Sequence, residues 1–76
     1  MNYNTINYQV LRGSPKEYED LGIIAIYVPE QININAHYAL LNTKGIEVFK
    51  STNLDDIVDE GKKIIKKHFL EISKKI

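Results

Sequence analysis

The chain has 76 residues, no cysteine and a formal net charge of zero. A chain of this length forms one domain with a small core, and the lack of cysteine excludes disulfides, thiolate zinc sites and cysteine nucleophiles. The neutral total conceals a separation of charge. Residues 1–61 carry four basic and nine acidic side chains, giving −5, whereas residues 62–76 carry six lysines and one glutamate, giving +5.

Isoleucine, lysine, asparagine and tyrosine supply 33 of the 76 residues. All four are encoded by A/T-rich codons, which indicates an A/T-rich genome such as those of low-GC bacteria, their phages and some archaeal viruses. Residues 1–7 lack the basic start of a signal peptide, and the longest apolar run, residues 23–28, is far too short to span a membrane. We therefore expect a cytoplasmic protein that does not enter a membrane.

The first predicted element is a strand over residues 5–12, whose side chains alternate in the manner of a half-buried strand. Its apolar face would carry Ile6, Tyr8 and Val10.

A short helix over residues 15–21 is predicted next. Ser14 suits the cap, Pro15 the first position and Glu17 the third, while Gly22 suits the position after the end. The side chains expected to face inward are Tyr18 and Leu21. An irregular polar loop is the alternative.

Three further strands follow. Residues 23–28 form a nearly continuous apolar run, which is typical of a strand covered on both faces. Residues 32–35 alternate and lead into a second two-sided strand over residues 36–41. Residues 42–45 predict a hairpin turn whose glycine can take a positive φ, and residues 46–50 predict the returning strand.

The last predicted element is one long amphipathic helix over residues 53–76. At about 100° per residue its apolar side chains fall within an arc of roughly 140°. These residues are Leu54, Ile57, Val58, Gly61, Ile64, Ile65, His68, Phe69, Ile72 and Ile76. Thr52 or Asn53 is the expected cap, and Thr52 with Asp55 is a near match to a capping box. Four acidic residues precede six lysines, the order that the helix dipole favours.

The order of elements predicts an α+β fold with a small antiparallel sheet of about four strands packed against one long C-terminal helix. One helix covers only one face of such a sheet. The second face would still be rich in apolar side chains, namely Ile24, Ile26, Val28, Ala39 and Leu41. We expect a second copy of the chain or a partner protein to cover it, with ordinary surface apolarity as the alternative.

Gly61 lies in the middle of the apolar side of the long helix, where glycine costs about 1 kcal/mol relative to alanine. A close approach of the helix to a large strand side chain, such as Tyr8 or Tyr38, is the preferred explanation. A local kink is the alternative.

Groups that could perform catalysis are few. His37 and His68 are the only histidines, no pair of them has metal-ligand spacing, and the serines lack a nucleophile motif. The carboxylate cluster of Asp55, Asp56, Asp59 and Glu60 is explained by its place at a helix N-terminus. We therefore expect no enzymatic activity, no metal and no cofactor.

The preferred functional hypothesis is a small protein-binding module, an accessory or inhibitory protein of a phage or other mobile element. It would act through its second sheet face, an edge strand or its acidic loops, alone or as a homodimer. The candidate contact residues are Glu17, Glu19, Asp20, Ile24, Glu30 and Leu41. A self-assembling structural unit is a further possibility.

The alternative is a nucleic-acid-binding regulator that contacts phosphates through Lys62, Lys63, Lys66 and Lys67. Residues 61–67, which follow three strands, resemble the last helix of double-stranded-RNA-binding domains. In that family, however, basic residues open the helix, where this chain has four acidic residues, and the family's first helix is missing here. The strands-then-helix order is also similar to that of HicB-type antitoxins, although no specific residues match, so no family is assigned.

Overall fold

A computed structural model describes residues 6–74 and confirms the predicted α+β fold. The elements are β1 (Gln9–Val10), α1 (Glu17–Leu21), β2 (Ile24–Val28), β3 (His37–Leu41), β4 (Glu47–Ser51) and α2 (Leu54–Lys74). The strands form one antiparallel sheet in the order β1-β2-β3-β4. Helix α2 packs against β3, β4 and α1, so one face of the sheet lies under this helix.

Each face of the sheet has its own apolar core. On the helix side the buried residues are Tyr18, Ala25, Leu40 and Ile57. On the opposite side they are Ile26, Val28, Ala39 and Leu41. This division follows from the register, because paired strand residues such as Ala25 and Leu40 point to the same face. The predicted two-sided burial of β2 and β3 is therefore confirmed.

The chain itself covers the centre of the face opposite the helix. Ile6 and Ile34 pack against that core, and Ile26, Val28 and Ala39 have no exposed surface. The prediction that this face needs a second copy or a partner to bury it was therefore wrong for its centre. Apolar side chains remain exposed only towards its margins, as described below.

The predicted first strand is shorter than expected, and residues 32–35 form no strand. Gln31 and Ile34 exchange two backbone hydrogen bonds of 3.0 Å, closing a turn in which Asn33 has a positive φ of 65°. The Gln31 side-chain amide then pairs with the backbone of Asn7, through an Nε2–O bond of 2.9 Å and an N–Oε1 bond of 3.0 Å. A side chain thus takes the place that a neighbouring strand would have. Residue 5, the start of the predicted strand, lies outside the described residues.

Helix α1 starts two residues later than predicted, and Ser14 does not cap it. Its end is as expected: Gly22 has a left-handed φ of 68°, and its N–H donates to Glu19 O. The N–H of Ile23 donates to Tyr18 O at 3.0 Å, which completes a Schellman motif.

The hairpin predicted at residues 42–45 is confirmed, and Gly45 has a φ of 75°. The side chain of Asn42 stabilises it, because its Oδ1 accepts hydrogen bonds from the N–H groups of Lys44 (2.9 Å) and Ile46 (3.0 Å).

Asn53 caps α2, accepting a 2.9 Å hydrogen bond from the N–H of Asp55. The predicted Thr52–Asp55 capping box is not used. Instead, the Ser51 hydroxyl accepts from the N–H of Asn53 and donates to the carboxylate of Asp56 at 2.7 Å. The predicted helix is otherwise confirmed; its last two predicted residues lie outside the described part of the chain. None of the described helices is long and apolar enough to cross a membrane.

Gly61 is buried where α2 meets α1. A Cβ atom built at Gly61 would overlap the hydroxyl of Tyr18 and lie 2.8 Å from its Cζ. The predicted reason for this glycine, a close approach to a large side chain, is confirmed. The predicted partner was wrong, because the tyrosine comes from α1 and not from a strand.

We expect Gly61→Ala to destabilise the fold by about 1–3 kcal/mol, the usual cost of overpacking. Alanine in an exposed helix would instead stabilise by about 1 kcal/mol, so the sign of the change tests the contact. The measurement is urea unfolding followed by circular dichroism. In a Tyr18→Leu background, which removes the overlapping atoms, the same substitution should cost far less. Equal effects in both backgrounds would contradict the prediction.

Candidate partner-binding surface

Three of the predicted contact residues lie together on α1. Glu17 is half-buried, and Glu19 and Asp20 are exposed. The short helix predicted over residues 15–21 is confirmed for these three residues, which occupy slightly more than one helical turn. The last turn of α1 contains no basic residue, so the negative charge of this helix is uncompensated within it.

Ile24, the first residue of β2, is 46% exposed although its neighbours in the sheet are buried. Its cross-strand partner Leu41 is only 4% exposed. Leu41 therefore belongs to the core and is accessible only where it lines the hollow described next, whereas Ile24 is well exposed. The two residues still lie side by side on one face of the sheet.

A hollow of about 430 Å³ lies on one side of Ile24. Among its lining residues are Tyr8, Glu19, Ile24, Leu41 and Thr43. Three of the predicted contact residues are thus brought to one place. The floor is apolar and a carboxylate lies at the edge, an arrangement that fits an apolar side chain flanked by a cation.

A second hollow, of about 440 Å³, lies on the other side of the same residues. Val10, Pro15 and Lys16 help to line it, together with Glu19 and Ile24. Glu19 and Ile24 therefore border both hollows. We call the exposed region around them the α1–β2 surface, which consists of Tyr8, Val10, Glu17, Glu19, Asp20 and Ile24.

Tyr8 and Val10 were missed as contact residues by the sequence analysis. Val10 pairs with Ile26 and shares its face of the sheet, yet it is 61% exposed because β1 is an edge strand of only two residues. Alternation in the sequence indicated the face correctly. The alternation could not show that apolar side chains on this face are exposed at the edge strand β1.

Glu30 does not join the α1–β2 surface. Helix α1 ends just before β2 begins, whereas Glu30 follows the end of β2. The two sites therefore lie beyond opposite ends of the strand, whose first and last residues are about 13 Å apart at 3.3 Å per residue. Glu30 is exposed, but the structure gives it no connection to the other predicted contact residues.

The lysines of the alternative hypothesis are all accessible. Lys62, Lys63, Lys66 and Lys67 are exposed along nearly two turns of α2. They surround the solvent side of the helix rather than forming a single row, since successive residues differ by about 100°.

His37 has a structural role. A bulge in the pairing of β3 with β4 sets Phe49 opposite Leu40 and Glu47 opposite Leu41, which brings Glu47 to the face that carries His37. The His37 Nε2 lies 3.2 Å from Glu47 Oε2, and its Nδ1 lies 2.8 Å from the carbonyl oxygen of Asn35. Both ring nitrogens therefore lie within hydrogen-bonding distance of an oxygen, and the ring connects the segment before β3 to β4.

Within the described residues no three histidine, aspartate or glutamate side chains are placed to hold a metal ion. His68 is half-buried on α2, with its ring centroid 6.0 Å from that of Phe69.

Comparison of the chain with protein-family models, with curated proteins and with solved structures finds no match.

Tyr18 is the buried residue of α1. Its burial raises the pKa of the phenol above the ordinary value of about 10. The folded state therefore favours the neutral phenol, and this contribution to stability is complete below the unfolded pKa and lost as the pH rises through the folded one. We expect the free energy of unfolding of the wild type to fall more steeply between about pH 9 and pH 11 than that of Tyr18→Phe. Parallel pH profiles would contradict this expectation.

Proposed function

We propose that this protein is a non-catalytic protein-binding module that acts by occupying a partner's surface with its α1–β2 surface. The observation that carries the proposal is the exposure of Ile24 between two hollows, directly beside the acidic helix α1. Interfaces commonly centre on an apolar anchor within a polar rim, and charge at the rim mainly steers the encounter.

The chemistry of this surface defines the partner that fits it. The partner would present basic side chains to Glu19 and Asp20, and an apolar side chain to each hollow. We propose an accessory or inhibitory role for a phage or other mobile element, in the cytoplasm. The small size, the abundance of residues with A/T-rich codons and the lack of cysteine support this role.

The test is affinity capture from the lysate of a low-GC bacterium, quantified by mass spectrometry. We expect a protein that the wild type retains and that Ile24→Asp or Glu19→Lys loses at least about tenfold, the effect of roughly 1.4 kcal/mol. Ile32→Asp is the matched control, because Ile32 is 90% exposed and lies outside the α1–β2 surface. A capture profile that is identical for Ile24→Asp and Ile32→Asp would reject the proposal.

Phosphate binding by α2 is the second candidate function, favoured by the exposure of Lys62, Lys63, Lys66 and Lys67. It is tested by the fluorescence anisotropy of labelled duplex and single-stranded oligonucleotides. Binding through four phosphate contacts would weaken about 100-fold between 50 and 200 mM salt, since log K falls by about 0.7–0.9 per contact. Lys62→Glu with Lys66→Glu should abolish it. An unchanged anisotropy at 50 mM salt would remove this function.

A further inference from the structure

The C-terminal part of helix α2 extends beyond the core that covers its first half. Its sheet-facing side chains are covered as far as Ile65, with Ile57 only 1% exposed and Ile64 and Ile65 packed on the core. Beyond that point none of the α2 residues whose burial the structure describes belongs to either core, and Phe69 and Ile72 are 51% and 43% exposed. The last two described turns therefore present apolar side chains without a cover within the described residues.

These exposed residues continue a stripe along one flank of the helix. At 100° per residue, Leu54, Val58, Ile65, Phe69 and Ile72 fall within about 60° of one another. Leu54 and Val58, at the opposite end, are 42% and 43% exposed. The stripe runs about 27 Å, at 1.5 Å per residue. It borders the side of α2 that faces the sheet, and Ile65, which is half-buried and packs on the core, belongs to both.

The two ends of the stripe differ in shape. Phe69 and Ile72 project from the free end of the helix. Beside Leu54 and Val58 lies an apolar hollow of about 260 Å³, bounded on its other side by Leu11, Pro15 and Tyr18. When two copies pair antiparallel about a two-fold axis, the projecting end of each copy meets the hollow of the other, so the surface is self-complementary.

The charged residues beside the stripe are also arranged so that two copies can complement each other. Asp59 and Lys66 lie on its outer edge and are both exposed. They are seven residues apart in one helix, too far to pair with each other. In an antiparallel pair of α2 helices Asp59 of each copy would face Lys66 of the other. In a parallel pair the two outer edges lie on opposite sides of the interface, so Asp59 and Lys66 would not meet, and only the antiparallel arrangement uses these charges.

We propose that the flank of α2 binds α2 of a second copy of this chain, antiparallel and centred near Lys63. In such a pair, residues equally far before and after the centre lie at the same height. Leu54 and Ile72 are nine residues either side of Lys63, and the pairs Val58 with Phe69 and Asp59 with Lys66 match within one residue. Phe69 of each copy then enters the hollow beside Val58 of the other.

The first test is sedimentation equilibrium of the full chain at concentrations from about 1 μM to 1 mM, the span in which a small, weak interface dissociates. The wild type should form dimers and no larger species, because a two-fold pair is closed. Phe69→Glu should be monomeric throughout, whereas Leu70→Glu should dimerise as the wild type does. Leu70 is the matched control, since it is 53% exposed but points about 100° away from Phe69.

The second test reverses the charges. Asp59→Lys and Lys66→Glu should each raise the dimer dissociation constant about tenfold, because each replaces two symmetric attractions with repulsions. Combining both substitutions in one chain should restore dimerisation, since the reversed pair is again complementary. Lys67→Glu, which changes the net charge equally but lies on another side of the helix, should leave the dissociation constant within about twofold. Circular dichroism establishes that each variant is folded.

Two results would overturn the proposal. One is a wild-type protein that stays monomeric over the whole range, which would leave the flank to a different partner. The other is a dimer that Phe69→Glu and Leu70→Glu weaken alike, or one in which the double charge reversal fails to restore association. Neither result bears on the α1–β2 surface, because Phe69, Asp59 and Lys66 lie outside it.

Discussion

The contact between Tyr18 and Gly61 sets the arrangement of everything outside the sheet. It fixes the height at which α2 crosses the sheet, because no side chain intervenes at Gly61. It also holds α1, a helix of only five residues that could not be stable alone. Tyr18 belongs at the same time to the core beneath α2, together with Ala25, Leu40 and Ile57. One aromatic side chain thus joins the two helices and the sheet into a single apolar unit.

The α1–β2 surface follows from that contact. Tyr18 turns inward, so Glu19 and Asp20 on the same short helix are left facing solvent. The Schellman motif at Gly22 then ends the helix abruptly and directs the chain into β2, which leaves Ile24 at the margin where the two hollows meet. The burial of the tyrosine and the exposure of the acids have one cause. Most of this surface is therefore presented by a helix and two strands rather than by a loop.

The elements that could be predicted are those specified by the pattern of neighbouring residues in the sequence. The 3.6-residue periodicity of α2, the apolar runs of β2 and β3, and the glycines at positions 22 and 45 specify their structures from neighbouring residues alone. Three features depend on distant partners and were missed: the cover of the second face by Ile6 and Ile34, the pairing of Gln31 with Asn7, and the identity of the tyrosine over Gly61. Alternation in residues 32–35 looked like a strand because a turn that buries one isoleucine and exposes the other has the same pattern. The candidate surface was predicted in part, since the acidic residues and their short helix were found but Tyr8 and Val10 were not.

The acidic and basic residues of α2 are separated over a longer stretch of the helix than the helix dipole explains. The dipole acts within the first and last turns, which accounts for Asp55 and Asp56 near the start. Asp59 and Glu60 lie in the second turn, and the lysines begin at Lys62, well before the last turn of a helix that ends at Lys74. Pairing within the helix does not explain the order either, because alternating charges at i and i+4 would stabilise it better than two blocks. A separation that extends over the whole helix is complementary only to an object with the opposite gradient. The same helix in the reverse direction is such an object, and its apolar flank lies alongside the same charges.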